Sequence, residues 1–139
     1  MHSILHRVII ETTPEKFYRA LTTQQGLSAW WTKTKSNGDD LGSTNSFFFG
    51  PDGSHRVDMQ IKTLIPNELV AWQCVAGPWV EKGLFTFAIA PDERGVVLHF
   101  NHQGWSETDD FYQHCNCKWG FFLAVSLKNY LERGVGQPH

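Results

Sequence analysis

The sequence predicts an α+β fold: a curved antiparallel sheet of about six to seven strands wrapped on a long C-terminal helix, with two short helices after the first strand. Three observations predict it. Between residues 43 and 103, apolar and polar residues alternate in short runs separated by Gly, Pro, Asn and Asp, as in an antiparallel meander with one buried face. From roughly Asp109 to Arg133 the pattern turns helical, with no proline and only Gly120 as a possible break. A sheet with one apolar face must be covered, and that helix is the only element long enough to do it. At 139 residues the chain reads as one domain, 1–139, long enough to close a single core.

Taken in order, Ile4 to Ile10 is β-branched and apolar and predicts a strand. Thr13-Pro14-Glu15 predicts a helix start, with a hydroxyl N-cap, proline at the first helical position and an acid in the first turn. Phe17, Ala20 and Leu21 keep helical spacing. Thr22 and Thr23 can break and recap the helix, after which Leu27, Trp30 and Trp31 resume the spacing. Ser43 to Phe49 predicts a strand, and Pro51-Asp52-Gly53 a turn. Val57, Met59 and Ile61 alternate with polar residues, and Pro66-Asn67-Glu68 turns the chain into Leu69 to Val75. Gly77-Pro78 marks another turn. Phe85, Phe87 and Ile89 line one face of the next strand, Pro91 to Gly95 turns it, and Val96 to Gln103 is the last.

On the long helix, Phe111, Cys115, Trp119, Phe122, Leu123, Ser126 and Tyr130 fall on one broad face, with Leu127 and Leu131 on its flank. His114, Cys117, Lys118, Lys128 and Glu132 lie mainly opposite. Gly134 predicts the C-cap, and residues 134–139 are expected to fray.

Composition narrows the function classes. A net charge of −2 with singly scattered Lys and Arg leaves no footprint for nucleic acid. No segment approaches a membrane span, and the first residues lack the basic start and apolar run of a signal peptide, so a cytoplasmic protein is expected. Three cysteines, Cys74, Cys115 and Cys117, point to free thiols. Six Trp and ten Phe raise the aromatic share to 14%, enough either to fill a thick core or to line a cavity.

Three markers then carry a family resemblance over essentially the whole chain: Ala-Leu-Thr…Leu…Trp-Trp (Ala20 to Trp31), the His-x-Gly-aromatic strand end (His102 to Trp105), and the Trp119-to-Leu131 helix pattern Trp-x-x-x-Leu…Leu-Lys-x-Tyr-Leu. The chain resembles the START-like SRPBCC superfamily, and within it the AHSA-like branch named after activators of a heat-shock chaperone ATPase. The resemblance implies a helix-grip fold with a hydrophobic cavity between sheet and long helix. Members of the superfamily bind lipids, sterols or polyketide-like molecules, some catalyse cyclisation or hydrolysis, and some act as chaperone partners, so the fold alone does not assign a role.

The residues by themselves leave a pocket and a solid core equally open, and the resemblance favours the pocket. Its candidate lining is Cys115, Trp119, Phe122 and Ser126 from the helix, Phe47, Phe49, Trp72, Phe85, Phe87, Phe100 and His102 from the sheet, and Trp31. His102 shares strand parity with Leu98 and Phe100, so it faces inward. It could hydrogen-bond a ligand or act as a base, but no acid is placed to orient it, and a structural histidine is the preferred reading.

His114-Cys115-Asn116-Cys117 looks like a metal cluster, yet Cys115 and Cys117, two apart on a helix, point about 200° apart and cannot share an ion, while His114 and Cys117, three apart, could but supply only two ligands. No metal and no cofactor are expected. Glu107, Asp109 and Asp110 are read as helix-start acids rather than a catalytic pair. Phe121 and Val125, on the polar side of the helix, suit either a homodimer patch or cover by the first helices. Of Trp30 and Trp31, one is expected to anchor the second helix and the other to lean toward a pocket rim.

The leading expectation is therefore binding of a small hydrophobic or aromatic molecule without catalysis. A chaperone-interacting module is the alternative, and a cyclase- or hydrolase-type enzyme using His102 is third.

Overall fold

In a computed structural model describing residues 1–139, β1 (His2–Ile10) leads through α1 (Pro14–Thr22) and α2 (Gln24–Trp30) into six further strands. These are β2 (Lys33–Ser36), β3 (Thr44–Phe49), β4 (His55–Ile65), β5 (Leu69–Ala76), β6 (Leu84–Asp92) and β7 (Gly95–Trp105). The C-terminal helix follows as α3 (Asp110–Phe121), a π-helical segment (Phe122–Leu127) and α4 (Lys128–Arg133), continuous in chain order. The seven strands form one sheet in the order β1-β7-β6-β5-β4-β3-β2, every neighbouring pair antiparallel. The meander and the helix that covers it are thus as the sequence predicts, and β1 returns to pair with β7 from His2↔Trp105 to Ile10↔Val96.

The short helices start where their caps say. The Thr13 hydroxyl accepts from the Lys16 amide at 3.2 Å, and the Thr23 hydroxyl accepts from the Gly26 amide at 3.0 Å. Gly26 is also a close-approach position: a Cβ there would lie 2.7 Å from the Ala20 Cα, so α1 and α2 can pack together only without a side chain at 26. The Asp109 carboxylate accepts from the Tyr112 amide at 3.0 Å, which makes it the N-cap of α3. Gly134 closes α4 in the left-handed region, φ 87°.

Alternation becomes burial as expected on β4 (Val57, Met59, Ile61), β6 (Phe85, Phe87, Ile89) and β7 (Val96, Leu98, Phe100, His102). The far end of the helix is tied to β1. Lys128 Nζ donates to the Ile9 carbonyl at 3.2 Å and pairs with Glu132 at 2.6 Å, while Glu132 accepts from the Glu11 amide at 2.9 Å. No helix is long and apolar enough to cross a membrane.

Three expectations need correction. The β6–β7 turn is narrower than Pro91 to Gly95, because Asp92 pairs with Gly95 and leaves Glu93-Arg94 as a two-residue loop. β2 falls in a polar stretch, Lys-Thr-Lys-Ser, and owes its place to pairing with β3, from Lys33↔Phe48 to Ser36↔Asn45. Residues 134–139 do not fray. The Gln137 amide donates to the Ser126 hydroxyl at 2.8 Å, the His139 amide to the Trp31 carbonyl at 2.8 Å, and His139 Nε2 accepts from the Gly50 amide at 2.9 Å. Gly136 lets the tail lie this close, since a Cβ there would come 2.5 Å from the Ala29 carbonyl oxygen.

Candidate functional site

The adjacent tryptophans have different jobs. Trp30 is fully buried, and its indole N–H donates to the Ala20 carbonyl at 2.8 Å, locking α2 onto α1. Trp31, at the C-cap of α2, is buried too, but its ring turns into the sheet-helix interface. There it meets Phe47 at 4.5 Å, Trp119 at 5.0 Å and Trp72 at 5.8 Å between ring centroids. The expected anchor is Trp30. The partner does not stand at an exposed rim; it lies on the floor of a cavity.

That cavity has a volume of about 760 Å³ and opens between the β3–β4 turn, the loop 77–83 and α3. Six aromatic rings line it: Trp31, Phe49, Trp79, Phe111, Trp119 and Phe122. Val57, Pro78 and Cys115 complete its apolar wall, and Gly50, Ser54, His55, Arg56, His114, Lys118 and His139 line the rest. Burial pushes the Cys115 thiol above its ordinary pKa, so it stays protonated at neutral pH and acts as a small apolar group. Cys117, two residues on, is exposed. A smaller groove of about 390 Å³ between α1 and α4 has a mixed lining, with Lys16, Arg19, Thr23 and Gln25 beside Ala20, Tyr130 and Leu131.

Of the residues singled out from sequence, Trp31, Phe49, Cys115, Trp119 and Phe122 come together in this lining. Phe47, Trp72, Phe85, Phe87 and Phe100 sit behind it as packed core: Trp119 lies 4.5 Å from Phe100 and 5.9 Å from Phe85, and Trp72 lies 4.7 Å from Phe87. Ser126 faces the tail instead, donating to the Trp30 carbonyl at 2.5 Å while accepting from the Gln137 amide.

His102 is also outside the lining. It is fully buried, stacked on Phe85 at 3.8 Å with Trp105 at 4.9 Å, and neither ring nitrogen has a well-formed hydrogen bond to the protein. Burial pushes its pKa down to about 3, opposed by a backbone group of Lys82, so the ring is neutral at pH 7.

Sequence reasoning misses the residues that loops contribute. Trp79 hangs from the loop 77–83, which is pressed onto Gly104: a Cβ at 104 would come 3.1 Å from the Lys82 backbone, and φ there is +102°. His55 and Arg56 lie where β4 begins, before its alternation is established. His114 and Lys118, assigned to the far side of the helix, form a row beside Cys115 and Trp119; their i, i+4 spacing next to the apolar row is the signal that could have found them. Phe121 and Val125 are 43% and 40% exposed, so the first helices do not cover them.

A family model described as "Activator of Hsp90 ATPase homolog 1-like protein" matches residues 11–132. No curated protein matches the chain. Among solved structures, the Aha1 dimer from Colwellia psychrerythraea is 41% identical, with 98% of this chain and 100% of that one covered at a TM-score of 0.85. A Staphylococcus saprophyticus protein is 20% identical over 99% and 98% of the two chains, with a TM-score of 0.78. DynU16, a protein of the dynemicin biosynthetic locus, is 14% identical over 96% of this chain and 48% of its own, with a TM-score of 0.77. At such low identity the last two are alike in fold alone.

Proposed function

The chain belongs to the family of Activator of Hsp90 ATPase homolog 1-like proteins, in the START-like SRPBCC superfamily, and from that premise we propose that it binds a small apolar or aromatic molecule in the cavity over Trp31 and Trp119. The observation that carries this reading is the aromatic lining of a cavity of about 760 Å³, a size and chemistry suited to a drug-sized ligand. Flat rings supply most of the burial, and the polar groups at the mouth supply orientation. Catalysis is not part of the reading. His102, the base singled out from the sequence, is neutral, fully buried and outside the lining. We take the protein to act as a single domain in the cytoplasm.

Native mass spectrometry of freshly purified protein, followed by thermal shift against lipids, sterols and flat aromatics, tests the proposal. A co-purified small molecule or a dose-dependent rise in Tm is expected. A panel that moves Tm nowhere contradicts it.

A second reading concerns assembly. Phe121 and Val125 stand exposed on one side of the C-terminal helix, and the Colwellia psychrerythraea relative was solved as a dimer. We propose that two copies of this chain pair through that side. Light scattering should give twice the chain mass, falling to one chain for Phe121→Glu, and a monomeric parent would contradict it. The chaperone reading has only the family's description behind it; retention of the protein on immobilised chaperone would support it, and no retention would remove it.

A further inference from the structure

We propose that the molecule held in the cavity carries a carboxylate, received at the mouth by Arg56 and Lys118; this rests on the cavity being the binding site. The chain has 14 acidic and 12 basic side chains, yet no Asp or Glu lines the cavity, while Arg56 and Lys118 do, with His55 and His114 beside them. Polarity is also graded. Trp31, Cys115 and Trp119 are buried, whereas Arg56 and Lys118 are exposed, so an occupant is asked to be apolar at one end and anionic at the other.

The two cations are available for this. Arg56 Nε donates to Asp58 at 2.9 Å, which fixes one edge of the guanidinium and leaves its terminal nitrogens without a partner in the chain. A carboxylate can take such a group through two parallel hydrogen bonds. Asp58, itself outside the lining, offsets part of the Arg56 charge. Lys118 makes no ion pair and no side-chain hydrogen bond, so its charge is uncompensated. A cationic occupant would meet repulsion there, and a neutral one would leave Lys118 unused.

Calorimetry with matched probes tests the assignment. One set is decanoate, 1-decanol and decyltrimethylammonium, kept below micellar concentrations. The other is anthracene-9-carboxylate, 9-anthracenemethanol and 9-anthracenemethylammonium. In at least one set the carboxylate should bind about tenfold or more tighter than the alcohol, and the ammonium weakest. The double variant Arg56→Gln/Lys118→Gln should erase the carboxylate's advantage while changing alcohol affinity by no more than about twofold. Equal affinities for carboxylate and alcohol, tighter binding of the ammonium, or an advantage that survives the double variant would overturn the charge assignment and leave the cavity reading standing. Should no probe of either set bind, the cavity reading falls with it.

Discussion

Trp31 and Trp119 meet with ring centroids 5.0 Å apart and planes inclined by 32°, the first from the end of α2 and the second from the last turn of α3. Each ring has two duties. One side packs into the core, Trp31 on Phe47 and Trp119 on Phe100, both at 4.5 Å, and the other side floors the cavity. The pair therefore joins the stability of the fold to the shape of the site, and substitutions around it should separate the two.

Trp30 and Trp31 make the first separation. Trp30→Ala removes a fully buried ring and its hydrogen bond to Ala20, and should cost roughly 3–5 kcal/mol in urea unfolding while leaving the affinity of the folded fraction unchanged. Trp31→Ala should also destabilise, but it should in addition shift ligand affinity by about tenfold or more. Identical behaviour of the two variants in a ligand titration would remove the division of labour.

Filling the cavity should abolish binding without unfolding the chain. Cys115 lines the hollow, so Cys115→Phe places its extra atoms in open volume, and stability should change by less than about 1.5 kcal/mol. Its ligand-dependent Tm shift should vanish, whereas Cys115→Ser should keep it. A Phe variant that binds as well as the parent would place the site elsewhere.

His102 predicts a pH dependence with a definite sign. Its folded pKa, about 3, lies below the ordinary value of 6.5, so the unfolded chain takes up a proton first as pH falls. The resulting loss begins near pH 6.5, continues toward pH 3, and amounts to about 2 kcal/mol by pH 5. His102→Phe keeps the stacked ring and has no proton to bind, so its unfolding free energy should fall by that much less between pH 7 and pH 5. Parallel profiles for parent and variant would show that burial does not hold the imidazole neutral.

How far the sequence reaches is clearest along individual elements. Val57, Phe85 and Leu98 are legible as core because a one-sided strand repeats its burial every second residue, and Thr13 and Asp109 because capping chemistry is local. Parity places Phe87 and His102 inward correctly but cannot say how far along the strand the packing stops and the cavity starts. That boundary depends on Trp79, whose loop follows from the close fit of Gly104 against Lys82, a contact between residues far apart in sequence. β2 is hidden for a related reason. Only Thr34 of its four residues is buried, and its pairing partner does the specifying.

The held tail is the other feature no local pattern reveals. Ser126→Ala removes the hydroxyl that bridges the Trp30 carbonyl and the Gln137 amide, and should cost roughly 1–3 kcal/mol. Hydrogen exchange at the Gln137 and His139 amides should quicken in that variant. Unchanged protection would mean that Gly136 packing alone holds the segment.

The six tryptophan side chains give the most direct test of ligand occupancy above Trp31 and Trp119, because each indole N–H is a separate resonance in a nitrogen-proton correlation spectrum. Titration with a ligand that raises Tm should move the signals of Trp31, Trp79 and Trp119, which line the cavity, and leave Trp30, Trp72 and Trp105 in place. Shifts confined to the second trio, or spread evenly over all six, would contradict binding at this site.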